Sequence, residues 1–207
     1  YSKISLWSHF NTWRSQTCSS HILNSNDRVS YGKLLAAYAL EKRIFIPYNS
    51  IPKKVINSFL SAEDKNFFNH PGIDAKGIIR AVIKNIKNIM GNKRLEGAST
   101  ITQQVAKNFL LTNEVSLRRK IKEAILAFRI ERALSKERIL ELYLNQIYLG
   151  SGAYGVAAAS LEYFDKSIKE LNYSEAALLA ALPKAPSKYN PYKYPEVAKF
   201  RRNLVLE

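Results

Sequence analysis

Cysteine occurs once in the 207 residues, at Cys18. That excludes an intramolecular disulfide and argues against a cysteine-built metal site. No apolar run approaches the ~18 residues that a membrane-crossing helix needs. Glycine and proline are sparse, at 8 and 7, so the chain is neither collagenous nor low-complexity. Acidic side chains are also short in number: 17 against 32 basic ones, a formal net charge of +15 and a pI of about 9.8. This imbalance says nothing of fold, but it implies an anionic partner: nucleic acid, anionic lipid headgroups or a phosphorylated substrate. What is plentiful is apolar side chain, 46% of the residues, enough for the core of one substantial domain. No leader pattern is visible. The start at Tyr1 and the helical pattern still running at Glu207 read as ends cut from something longer.

Residues 1–30 show no clean period and read as a poorly specified segment. From Tyr31 the text becomes regular. Residues 34–40 are apolar, and 43–47 read as a short extended strand. Apolar residues at 55, 56, 59 and 60 recur at helical spacing from Pro52 to about Asp64. Further helices are expected over 75–90, 99–108, 116–133, 135–146, a stretch ending at Phe164, and an Ala/Leu-rich stretch that Pro183 ends. Ser116, Ser135 and Asn172 or Ser174 are their capping candidates. The reading is mainly α, without internal repeats.

Three polar clusters interrupt this pattern. In Glu63-Asp64-x-x-Phe67-x-x-His70-Pro71-Gly72, two carboxylates and a histidine crowd the end of an apolar helix. A carboxylate there opposes the helix macrodipole, which raises its proton affinity and suits a general base. A solvated acidic pair beside a packed histidine reads equally well from these residues alone. In the stretch 97–108, Ser99 and Thr100 precede a helix carrying Gln103, Gln104, Lys107 and Asn108. Hydroxyls and free amides at a helix start can hold an anion, or merely cap the helix. In 118–124, Arg119 and Lys120 lie four and three positions before Glu123, on one helical face. That is either a surface ion pair or a carboxylate held among cations.

The order of these clusters narrows the choice. Glu63-Asp64-x-x-Phe67-x-x-His70-x-Gly72 is followed by Gly97-Ala98-Ser99-Thr100-Ile101-Thr102-Gln103-Gln104-x-x-Lys107-Asn108. Then come Arg119-Lys120-x-x-Glu123-Ala124, Lys136-x-x-Ile139-Leu140-Glu141-x-Tyr143-Leu144-Asn145, and Gly150-x-Gly152-x-x-Gly155-Val156-x-x-Ala159. In this order they resemble the peptidoglycan glycosyltransferases (transglycosylases) of glycosyltransferase family 51, above all those of class A bifunctional penicillin-binding proteins. The resemblance runs from about Tyr31 to the end. It implies a lysozyme-like helical large lobe with a smaller membrane-associated jaw lobe, here about 73–96. The motifs that carry the resemblance include no transpeptidase domain and no anchor helix, so the chain is expected to stop before the former and to lack the latter.

The resemblance also implies chemistry. Lipid II, the lipid-linked disaccharide-pentapeptide, is joined to a growing lipid-linked glycan with inversion and release of undecaprenyl diphosphate. Glu63 is the implied base and Glu123 the second essential carboxylate. Asp64, Phe67, His70, Ser99, Thr100, Gln103, Gln104, Lys107, Asn108, Arg119 and Lys120 are implied substrate-binding or scaffold positions. Glu141, Tyr143 and Asn145 read as structural. No cofactor is obligatory, with room for Mg2+ or Mn2+ near Glu123. The implied setting is the outer, periplasmic face of the bacterial cytoplasmic membrane, among other cell-wall synthesis proteins.

Between Lys76 and Arg94 there are six basic residues and no acidic one, while Ile78, Ile79, Val82, Ile83, Ile86, Ile89 and Met90 fall on one helical face. This is the pattern of an interfacial helix over 76–90, although such a helix often packs on its own core. A lysozyme-like glycan hydrolase, an inactive truncated remnant and a basic nucleic-acid-binding module are the competing readings. The last is disfavoured because aromatics lie in apolar faces, not between cations.

Overall fold

A computed structural model of the protein describes residues 42–90, 97–110 and 116–207. Segment 1–30, the apolar run 34–40, Lys93 and Arg94 lie outside them. Eight α-helices and two short strands make up the described residues: β1 (Lys42–Arg43), α1 (Lys53–Glu63), α2 (Ala75–Met90), α3 (Ile101–Leu110), α4 (Leu117–Ala133), α5 (Lys136–Gln146), β2 (Ala153–Tyr154), α6 (Val156–Phe164), α7 (Tyr173–Ala181) and α8 (Pro195–Leu206). The fold is mainly α, as the periodicity implies. It forms two compact units, Lys53–Tyr143 and a second one of residues up to Pro52 with Leu144–Glu207.

The unit Lys53–Tyr143 holds the polar clusters. Val55, Ile56 and Phe59 form the buried stripe of α1, and Val55 and Phe59 have no exposed surface. Phe67, Ile101, Val105, Ala106, Ala127, Ile130, Ile139 and Leu140 complete its core. Each large side chain buried here contributes roughly 1.5–3 kcal/mol. Helix α3 packs along α4. The local start signals act as expected: Ser116 Oγ accepts from Arg119 N at 3.1 Å, and Ser135 Oγ from Arg138 N at 3.3 Å.

In the second unit, β1 pairs in parallel with β2, Lys42 opposite Ala153 and Arg43 opposite Tyr154. The Arg43 guanidinium lies 4.1 Å from the centroid of the Tyr154 ring. The expected strand over 43–47 is cut short for a definite reason. Ile46 gives its N–H to Asn145 Oδ1 at 2.7 Å and its carbonyl accepts from Asn145 Nδ2 at 2.8 Å. A side chain thus takes the bonds that a strand partner would use, and Pro47 has no N–H to continue. Asn145 is therefore structural. Gly155 has φ +83°, and a Cβ there would stand 2.6 Å from the Asn145 carbonyl oxygen, so only glycine fits. Asn172 and Glu175 form a reciprocal capping box that opens α7, and Pro183 follows its end. Helix α8 packs against α7.

Candidate active site

Helix α1 ends on Glu63. Its carboxylate is half-buried and accepts a hydrogen bond from Gln104 Nε2 of α3 at 2.8 Å. The next residue has a different fate. Asp64 is 6% exposed. Its Oδ2 accepts from the backbone N–H of Ile101 at 3.0 Å, at the start of α3, and both its oxygens lie 3.0 Å from His70 Nε2. His70 Nδ1 accepts from Gly72 N at 3.2 Å. That bond requires a bare Nδ1, so the imidazole proton is assigned to Nε2 and donated to Asp64.

The start of α3 is closed by a second reciprocal pair. Thr100 N donates to Gln103 Oε1 at 3.0 Å, and Gln103 N donates to Thr100 Oγ1 at 3.2 Å, a capping box. Thr100 Oγ1 also donates to the Gly72 carbonyl at 2.6 Å. Gly72 adopts φ +94°, and a Cβ there would press on Ala127 and Glu131. Asp64, Phe67, His70, Thr100 and Gln103 are all buried. Phe68, by contrast, is exposed.

The second carboxylate, Glu123 on α4, is 2% exposed and paired with Lys120. Lys120 Nζ also donates to Ser99 Oγ at 2.8 Å. Arg119 caps its helix through its backbone, while its side-chain Nε is buried without an acceptor. Lys107 and Asn108 are exposed on α3. Gln104 of α3 thus reaches Glu63, while Ser99, two residues before the helix, reaches the Lys120–Glu123 pair. One short stretch of chain supports both carboxylates. Among the described residues, no group of three or more His, Cys, Asp or Glu side chains gathers as metal ligands. A single carboxylate paired to an ammonium does not by itself make a site for a divalent ion.

The transglycosylase family matches residues 31–207. The chain belongs to that family. It is a glycosyltransferase domain of the kind found in class A penicillin-binding proteins, and its described residues are mainly helical. It is 61% identical over 176 residues to penicillin-binding protein 1A of Rickettsia typhi, covering 85% of this chain and 22% of that protein. To penicillin-binding protein 1A of Aquifex aeolicus it is 56% identical over 176 residues, 85% of this chain and 24% of that one. It also matches the crystal structure of penicillin-binding protein 1A from Haemophilus influenzae, at 29% identity and a TM-score of 0.46, over 85% of this chain and 16% of that one. The chain therefore spans about a fifth of the length of the curated relatives it matches.

Two features of the transglycosylase site are not evident from local pattern. Lys136 Nζ donates to the His70 carbonyl at 2.7 Å and to Glu131 Oε1 at 2.8 Å, lies 4.4 Å from the Phe67 ring centroid, and Thr102 Oγ1 donates to the same Glu131 oxygen at 2.6 Å. The signal for Lys136 was its place in the fourth motif, to which no local chemistry pointed. Tyr143, read as structural, is 1% exposed with its ring edge-on to Phe59 at 6.2 Å. Among the described residues its hydroxyl has no hydrogen-bond partner. Burial, then the charges of Glu63 and Asp64, push the phenol well above its usual proton affinity.

Helix α2 has three faces. Gly77 and Ala81 are buried. Lys76, Arg80, Lys84 and Lys87 form a cationic exposed strip. Between these lie Ile78, Ile79, Val82, Ile83 and Ile86, which are 38–62% exposed. Among the described residues, these five side chains are not packed on the core. No helix of the described residues is long and apolar enough to cross a membrane.

Proposed function

We propose that this domain polymerises lipid II at the outer face of the bacterial cytoplasmic membrane. The observation that carries the reading is that one stretch of chain supports two carboxylates: Gln104 donates to Glu63, and Ser99 accepts from the Lys120 ammonium that pairs with Glu123. Glu63 takes the proton from the acceptor sugar's 4-hydroxyl as that oxygen attacks the donor's anomeric carbon. The bond from that carbon to the lipid diphosphate breaks, the configuration inverts, and the electron pair leaves on the diphosphate. Lys120 and Arg119, with Lys107 from α3, neutralise the charge that develops there. Preorganised cations of this type supply transition-state stabilisation because their orientation precedes the reaction. Glu123 fixes the Lys120 ammonium. A hydrolase cutting sugar–sugar bonds would have no departing phosphate for these cations to meet.

The lipid tails of both substrates require the site to work at a bilayer. The exposed apolar strip of α2, bordered by cations, supports an interfacial seat for the domain. The decisive experiment is polymerisation of labelled lipid II by the domain and by Glu63→Gln. Positioned general bases contribute about 10²–10⁴-fold. A loss of that order, with helical circular dichroism unchanged, is expected. A Glu63→Gln protein with the parent rate overturns the base assignment, and shortening of preformed glycan instead of growth overturns the polymerase reading.

A further inference from the structure

Helix α4 turns one face inward and leaves the opposite one uncovered among the described residues. Its buried residues are Glu123, Ala127 and Ile130. Leu117, Ile121, Ile125 and Phe128 recur at intervals of four, four and three, so they form a single stripe. They are 86%, 62%, 49% and 44% exposed. At 3.6 residues per turn, this stripe falls on the side of the helix away from the buried residues. A contiguous apolar surface of this kind marks a place where something binds.

The charges beside the stripe are of one sign. Helix α4 has two acidic side chains, and both are withdrawn. Glu123 pairs with Lys120 and Glu131 with Lys136, and the two carboxylate side chains are 3% and 9% exposed. Arg118, Lys122, Arg129 and Arg132 are exposed. Two copies of this face brought together would set cation against cation, which opposes self-association. A neutral apolar partner would leave the cations unanswered. An anionic bilayer answers both features: acyl chains take the stripe, phosphates take the cations, and the long Arg and Lys stems span the two levels.

We propose that α4 is a second bilayer-contacting helix beside α2, with Leu117, Ile121, Ile125 and Phe128 seated among the acyl chains of an anionic membrane. This role for α4 rests on the membrane setting proposed above and not on which carboxylate is the base. Lys120 follows Leu117 by three residues, so it stands at the edge of the stripe, while Glu123 lies on the buried side of the same helix. An interfacial helix sinks its apolar face about 5–10 Å into the headgroup–acyl boundary and is itself about 10 Å across. Lys120 is thereby held at headgroup depth, where the diphosphate of a membrane-borne donor lies. The helix that meets the leaving group also sets its height against the bilayer.

The test places an environment-sensitive fluorophore on Ile125→Cys in a Cys18→Ser background and adds vesicles of phosphatidylglycerol and phosphatidylethanolamine. Sedimentation of the unlabelled parent reports whether the domain binds those vesicles at all. A blue shift of the label on vesicle addition is expected. Ile121→Ser combined with Ile125→Ser is expected to lower vesicle binding at least tenfold at an unchanged melting temperature, and Lys122→Gln to lower it about fivefold, the share of one interfacial cation. A parent that sediments while the label stays unshifted takes α4 off the bilayer and leaves the membrane setting standing. A parent that stays in solution overturns both. A label already blue-shifted without lipid, or a lower melting temperature in the double serine variant, shows that protein covers the stripe, and this too overturns the role of α4.

Discussion

Residues 63–72 and 75–90 follow one another in the same compact unit and dispose of their side chains in opposite ways. In the first stretch, Asp64, His70 and Gly72 exchange bonds with one another and with the start of α3 over separations of up to 37 residues. In the second, the buried residues of α2 among those described are Gly77 and Ala81, and five β-branched apolar side chains face outward. Under the proposed function, the contrast matches two demands on a polymerase of membrane-borne sugars. The reacting carboxylate must stay in place to within fractions of an ångström, so its neighbours are tied. A surface that meets lipid, as proposed here for α2, must remain apolar without collapsing onto the core, and the buried side of α2 carries the small residues Gly77 and Ala81.

The comparison breaks most sharply at Asp64. Asp64→Ala strands the Ile101 N–H at a helix start and the His70 Nε2–H, both buried. Two donors left unpaired, with the cavity, cost about 3 kcal/mol or more. For a chain of this size that is a fall of roughly 6–12 °C in melting temperature, measurable by circular dichroism, together with loss of polymerisation. Glu63→Gln keeps its neighbours' backbone bonds and should melt within a degree or two of the parent. If Asp64→Ala melts like the parent, the first stretch is not the clamp described.

How much of this could be read from sequence follows the range of the bonds. The capping roles of Ser116, Ser135 and Asn172 were legible because they are closed within three residues. Glu63 as the last residue of α1 was legible because the apolar period stops beside it. The burial of Asp64 and His70 was not, since their positions depend on Ile101 and Thr100 brought from 28 or more residues away. The truncated strand at 44–47 failed for the same reason: its backbone partner is the side chain of Asn145, 99 residues distant. Lys136 joins His70 across 66 residues, beyond any local signal. For α2, the periodicity named an apolar face but could not say whether the core lay on it. The small residues Gly77 and Ala81 were the clue, since a face meant to pack tightly in a core carries larger side chains.

The second way to break the comparison lies at Ile83, 54% exposed in the middle of the apolar strip. Ile83→Asp removes a side chain worth about 1.5–3 kcal/mol when buried in apolar surroundings and adds a charge of the wrong sign for an anionic surface. Binding to vesicles of phosphatidylglycerol and phosphatidylethanolamine should fall at least tenfold in sedimentation. Folding stability should not change, because the side chain has little to lose in the free protein. Parent-like binding would remove α2 from the membrane interface, and lower melting would show that its apolar face is in fact packed.

The smallest effect separates electrostatic from structural roles by sign. Lys76 stands in the first turn of α2, where the helix macrodipole is positive and a cation is slightly unfavourable. It also borders the apolar strip, where a cation near an anionic bilayer contributes about 1 kcal/mol. Lys76→Gln should therefore move the two measurements apart. The helix gains a few tenths of a kcal/mol, seen as an unchanged or slightly higher melting temperature, while vesicle binding weakens by about fivefold at low salt. At 0.5 M salt the difference between parent and variant should shrink toward nothing, because the Debye length has by then contracted to roughly 4 Å. If Lys76 instead served the fold, both quantities would fall together and the loss would survive the salt.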